Sequence, residues 1–225
     1  MGRTAPKSGG IIKEMPAFFM SALVPVAGIW HNGGRFEVKE PALKPLFTLF
    51  WQICRFRSGP EDVPYAPALL GLMLVLVLTL GLSSIPLLSA YDDPAKAVPA
   101  AQQVIALLFS VSSWMVILYA LLRFMNHTAR YVQTMTAALG TDLIFGIPQV
   151  VLYWLLLSSP AQSTVAMLAQ SILLGVYIWD MLVKGAIYSR ALDIGRLQGN
   201  LLSLALSFGL FMLSSLLFLP PPPAP

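Results

Sequence analysis

Residues 68–88 read ALLGLMLVLVLTLGLSSIPLL, with no Asp, Glu, Lys, Arg or His. Such a run is a membrane-spanning segment. About 20 residues at about 1.5 Å each cross a hydrocarbon layer of about 30 Å. A helix is the only single segment that pairs all its own backbone groups there. The run extends over Ala66–Leu88, and four more follow: Ala101–Phe124, Met135–Leu157, Thr164–Ile187 and Asn200–Leu219. Tyr91-Asp92-Asp93-Pro94, Ser158-Ser159-Pro160 and Pro220–Pro223 close three of them with residues that stop helices.

The composition agrees. Of 225 residues, 57% are hydrophobic and 11% charged, against about a quarter charged in soluble domains. Mean hydropathy is +0.75. A surface this poor in charge has lipid as its main solvent, which excludes a soluble enzyme and a disordered regulator. The single cysteine, Cys54, excludes an internal disulfide and a metal site of its own. A net charge of +4 is modest, and its uneven distribution is not a nucleic-acid footprint.

That distribution sets the expected orientation. Arg3, Lys7, Lys13, Arg35, Lys39, Lys44, Arg55 and Arg57 precede the first span. Arg123 and Arg130 flank the link between spans two and three, and Lys184, Arg190 and Arg196 gather at the link between four and five. With five spans all of these fall on one side, leaving Lys96 alone on the other. Cytoplasmic loops are rich in Lys and Arg. The expectation is an N-terminus in the cytoplasm and a proline-rich C-terminus outside it.

Before the first span, residues 42–57 read ALKPLFTLFWQICRFR. Leu43, Leu46, Phe47, Phe50 and Cys54 recur at helical steps, with Lys44, Thr48, Gln52 and Arg55 opposite. This is the period of an amphipathic helix. It lies on the cytoplasmic surface, where Trp51, Arg55 and Arg57 suit the lipid boundary, or it packs on the protein's own spans. The expected fold class is therefore all-α, a polytopic integral membrane bundle of five transmembrane helices preceded by a cytoplasmic amphipathic helix. The expected divisions are a tail over 1–36, the amphipathic segment 37–65, the spans 66–219 and a Pro-rich extracytoplasmic tail 220–225. Three readings of the tail stay open: a flexible or membrane-skimming segment, an upstream extension of the coding start, and a cleaved signal or extra span.

Ionisable and amide groups inside spans are the candidate site. Asp142 is seven residues into the third span and Asp180 seven from the cytoplasmic end of the fourth, both about 10 Å deep in one leaflet. Lys184 follows Asp180 by one turn and shares its face. Two facing carboxylates would hold or relay a proton. Alternatively, Asp142 and Asp180 tie helices together by pairing with Lys184, Arg123 or backbone groups. Gln149 and Gln170, near the middle of spans three and four, suit interhelical hydrogen bonds. Pro148 is expected to kink its helix.

No catalytic, cofactor-binding or metal-ligating residue is assigned. Gly-x-Ser-x-Gly, His-Glu-x-x-His, Cys-x-x-Cys and the phosphate-cradling glycine loop are all missing from the sequence. The Gly-x-Gly-Asp motif of intramembrane aspartyl proteases is incomplete at Gly140-Thr141-Asp142.

Residues 41–219 resemble the Yip family of five-span, Ypt-interacting-protein-like membrane proteins, in a bacterial form. The resemblance lies in Trp51–Tyr65, in Gly140-Thr141-Asp142, and in Trp179–Gly185 followed by Ala191–Gly195 and a last span. It implies five spans, a bacterial cytoplasmic (inner) membrane as the location, and no catalytic residue. Eukaryotic relatives organise membrane traffic through small GTPases, a role that does not carry over. The expected function is a non-enzymatic membrane organiser or assembly partner. Its expected partners are the lipid bilayer and either a membrane protein or a second copy, and nucleic acid is excluded. Trp51, Arg55, Arg57, Arg123, Arg130, Arg190 and Arg196 are the expected contact residues on its cytoplasmic face. The alternative is a small transporter or proton-coupled permease subunit using Asp142 and Asp180.

Overall fold

The computed structural model describes residues 43–89, 98–160 and 163–218, and those residues form helices and short turns without a strand. The order is α1 (Leu43–Cys54), a 3-10 turn (Pro60–Asp62), α2 (Pro67–Ser89), α3 (Ala100–Phe124), a 3-10 turn (Thr128–Arg130), α4 (Tyr131–Ser158), α5 (Thr164–Ala191) and α6 (Arg196–Phe218). Residues 1–44 and 45–225 are separate units; the bundle belongs to the second. The expected tail 1–36, Lys96 and the proline segment 220–225 lie outside the described residues.

The helices α2 to α6 are long and apolar enough to cross a bilayer, which makes the chain an integral membrane protein. The structure extends three spans at their charged ends. The helix α4 begins at Tyr131, four residues before the expected start, α5 continues to Ala191, and α6 begins at Arg196. The charged and small residues in these extensions break the apolar pattern but not the helix, because packing there replaces lipid. At 28 residues each, α4 and α5 are about 42 Å long and outreach the hydrocarbon by about 12 Å. The helix α4 runs through Pro148 without a break.

Around the bundle the helices pack in the order α2, α4, α5, α6, α3 and back to α2. Burial is uneven along the axis. Thr134 to Thr141 of α4 are all buried, as are most residues from Val183 to Leu192 of α5. In the opposite half of α5, only Ala166, Ala169 and Leu173 are buried. The well-packed end is the one carrying the arginines, where water makes apolar burial favourable. The other half presents its leucines outward, as lipid allows.

Three helices finish at the packed end in the same way. Arg57 N–H donates to Gln52 O (2.9 Å), His127 N–H to Leu122 O (2.7 Å) and Ile194 N–H to Ser189 O (2.9 Å). Each closes a Schellman turn around a residue with positive φ: Phe56 (59°), Asn126 (60°) and Asp193 (57°). Asn and Asp tolerate this region. Phe56 is held there by its ring, 6.0 Å from Trp179 and 5.8 Å from the Arg196 guanidinium.

The buried side of α1 keeps most of the expected face, with Phe50 and Cys54 buried and Leu46 packed on the core, but it turns Ile53 inward and leaves Phe47 exposed. Tertiary contacts set this rotation. The Phe50 ring lies against Gly140 of α4, where a side chain would collide with it, and Trp179 Nε1 of α5 donates to Cys54 O at 2.9 Å. A tight helix crossing joins α5 and α6. A Cβ on Gly185 would lie 2.7 Å from Asn200 Cα, and one on Gly199 would meet the Gly185 carbonyl.

Candidate functional site

Two adjacent spans supply the charged groups. Counting from Ser158 and Thr164, Asp142 of α4 and Asp180 of α5 each lie about 24 Å along their helices. The antiparallel packing of α4 on α5 brings these equal depths together. Lys184, one turn on from Asp180, sits between the two carboxylates. Its Nζ is 2.7 Å from Asp142 Oδ1 and 2.8 Å from Asp180 Oδ2. The same ammonium lies 5.9 Å from the Trp114 ring centroid of α3, within cation–π range. Trp114 Nε1 in turn donates to Tyr188 Oη of α5 at 2.8 Å.

The group therefore joins three helices through one lysine. The two carboxylates share one ammonium, and among the described residues Arg123 forms no ion pair with either. The two carboxylates and one ammonium leave one negative charge in excess. Asp180 Oδ1 is buried and receives no hydrogen bond among the described residues. Lys184 and Asp180 at i and i+4 were legible as a local pair. Trp114 and Tyr188 were not assigned from sequence, although Tyr188 stands four residues after Lys184 on the same face. An aromatic residue in a span carries no signal of its partner.

The amides behave differently. Gln149 is half-buried and Gln170 exposed, and neither side chain is hydrogen-bonded among the described residues. The expected interhelical bonds are not formed there, because the half of α5 that bears Gln170 is covered only on its Ala166–Ala169–Leu173 side. An interhelical pair that the sequence did not suggest occurs instead between Tyr153 Oη and Tyr177 Oη, at 2.6 Å.

At the packed end, the expected contact residues fall into two sets. Arg130 donates to the Arg190 carbonyl at 3.1 Å, Arg190 pairs with Glu61 at 3.3 Å, and Arg196 lies over Phe56. These three tie the links to one another, and Gln133 Nε2 adds a bond to Val63 O at 2.9 Å. Arg55, Arg57 and Arg123 are exposed, and no acid pairs with them among the described residues. Trp51 is exposed beside Phe47 on α1.

Cys54 is buried at the end of α1. Burial pushes its thiol up to about 12, with the Asp180 carboxylate adding to the effect, so it is neither a nucleophile nor an anionic ligand at neutral pH. Among the described residues no cluster of His, Cys, Asp and Glu could hold a metal ion. No protein-family model, curated protein or solved structure matches the chain.

Proposed function

We propose that the protein is a non-enzymatic membrane organiser or assembly partner, Yip-like in type, with its arginine-rich end in the bacterial cytoplasm. The observation that supports this best is the mutual tying of the links at that end. Arg130, Arg190, Glu61, Gln133 and Val63 fasten the 3-10 turn before α2, the start of α4 and the end of α5 to each other. Three Schellman turns stop the helices beside them. A surface fixed in this way, with Arg57, Arg123 and Phe124 left exposed on it, suits docking of a second protein with little ordering cost. The ionic group supports the same reading, since the Lys184 ammonium is bound by both Asp142 and Asp180 and lies over the Trp114 ring, joining three helices.

The test is photo-crosslinking from positions 57 and 124 in native membranes. A single stoichiometric adduct, to one membrane protein or to a second copy, is the expected result; no discrete adduct from either position overturns the proposal. Reporter fusions after Arg57 and Phe218 test the orientation, with opposite compartments expected.

A second reading has one observation in its favour. The excess of one carboxylate over Lys184, with Asp180 Oδ1 free of donors among the described residues, suits a proton-coupled permease subunit. Proton flux in proteoliposomes that Asp142→Asn and Asp180→Asn abolish would favour it; no flux above empty liposomes would remove it.

A further inference from the structure

We propose that the exposed side of α1 and the turn after it form a binding site for anionic phospholipid headgroups. Arg55 and Arg57 supply the charge, and Phe47 and Trp51 the apolar footing. The proposal rests on the five-span reading and not on which side of the membrane is cytoplasmic.

The depth of α1 carries the first part. Its two anchors are Phe50 on Gly140 and Cys54 O on the Trp179 indole. Gly140 is about 27 Å along α4 from Ser158, and Trp179 about 23 Å along α5 from Thr164. If those helix ends mark one face of a hydrocarbon layer about 30 Å thick, α1 lies where the opposite face meets the headgroups. Phe47 at 62% and Trp51 at 48% exposure are then apolar groups at the boundary, where tryptophan partitions favourably.

The second part is the sorting of charge. The arginines Arg130, Arg190 and Arg196 are exposed but engaged with protein groups: the Arg190 carbonyl, Glu61 and the Phe56 ring. Arg55 and Arg57 flank Phe56, whose ring is held by Trp179 and Arg196. Both guanidinium groups are therefore carried by a fixed turn while making no ion pair among the described residues. The acids that follow in the chain are occupied: Glu61 meets Arg190, and Asp62 accepts the Gly59 N–H at 2.9 Å. Two cations without an acidic partner among the described residues, beside two boundary aromatics, complement a layer of phosphate groups. Each arginine near such a surface contributes about 1 kcal/mol, or about five-fold in association.

The test uses the full chain in phosphatidylcholine nanodiscs with spin-labelled phosphatidylglycerol or phosphatidylcholine as the probe. The motionally restricted fraction of each lipid is read at low and high salt. Phosphatidylglycerol is expected to be preferred. Arg55→Gln with Arg57→Gln lowers that preference by about five-fold per arginine, and Arg55→Lys with Arg57→Lys retains it. High salt shrinks the difference. No preference in the wild type, or a preference untouched by the double glutamine variant, overturns the proposal. Loss of the wild-type chain from carbonate-washed liposomes would instead overturn the five-span reading beneath it.

Discussion

Lys184 Nζ lies 2.7 Å from Asp142 Oδ1, and this bond is the tertiary half of an arrangement whose local half is the bond from Lys184 to Asp180. The i and i+4 pair belongs to α5 alone and would form in any helix with that sequence. The bond to Asp142 requires α4 and α5 to be antiparallel and in register. One ammonium thus screens two carboxylates that would otherwise repel each other in a low-dielectric setting.

Removing the ammonium leaves both carboxylates without a counterion. Lys184→Met should cost about 3–5 kcal/mol, read as a large fall in the unfolding temperature in detergent micelles. The combination Asp142→Asn, Asp180→Asn and Lys184→Met leaves no net charge to stabilise and should recover most of the loss. A single Lys184→Met protein as stable as wild type would show that the lysine does not hold the helices.

Cys54 gives a chemical readout. With its thiol pushed up to about 12, maleimide should label it far more slowly at pH 7.5 than a cysteine at exposed position 57 in a Cys54→Ser background. The sign for stability follows from linkage. The contribution is fully present below the unfolded value of 9.0 and is lost as pH rises from about 9 to about 12. Unfolding temperature should fall across that window in the wild type, and less steeply in Cys54→Ser.

The α5–α6 crossing depends on two missing side chains. Gly199→Val or Gly185→Val should push the helices apart and cost about 1–3 kcal/mol, seen as lower unfolding temperature and loss of a monodisperse elution peak. Gly175→Ala, where a Cβ would meet nothing within 4 Å, should be unchanged and serves as the control.

At the end of α3, Asn126 takes φ of 60°. Asn126→Gly should hold or slightly raise stability, while Asn126→Val should lower it by about 1–2 kcal/mol, because a β-branched side chain is most crowded in that region. Thermal unfolding of the two variants side by side checks the order.

The number of spans, their approximate extent and the one-sided distribution of arginine were determined by the sequence alone. Each follows from a property that a segment carries without its neighbours: the length of an apolar run, or the position of a charge between two runs. The pairing of Asp180 with Lys184 belongs here too. Tertiary structure decided the fine rotation of α1, since Phe50 on Gly140 and Cys54 O on Trp179 leave Phe47 out and bring Ile53 in while most of the expected face stays buried. It also decided that Asp142 meets Lys184, that Trp114 and Tyr188 complete the group, and that Gly185 faces Gly199. These are contacts between helices distant in the chain. In lipid the hydropathy of a span fixes that it crosses, but gives little preference for one rotation about its axis. That choice falls to the few positions where shape, hydrogen bonds and charge differ around the helix.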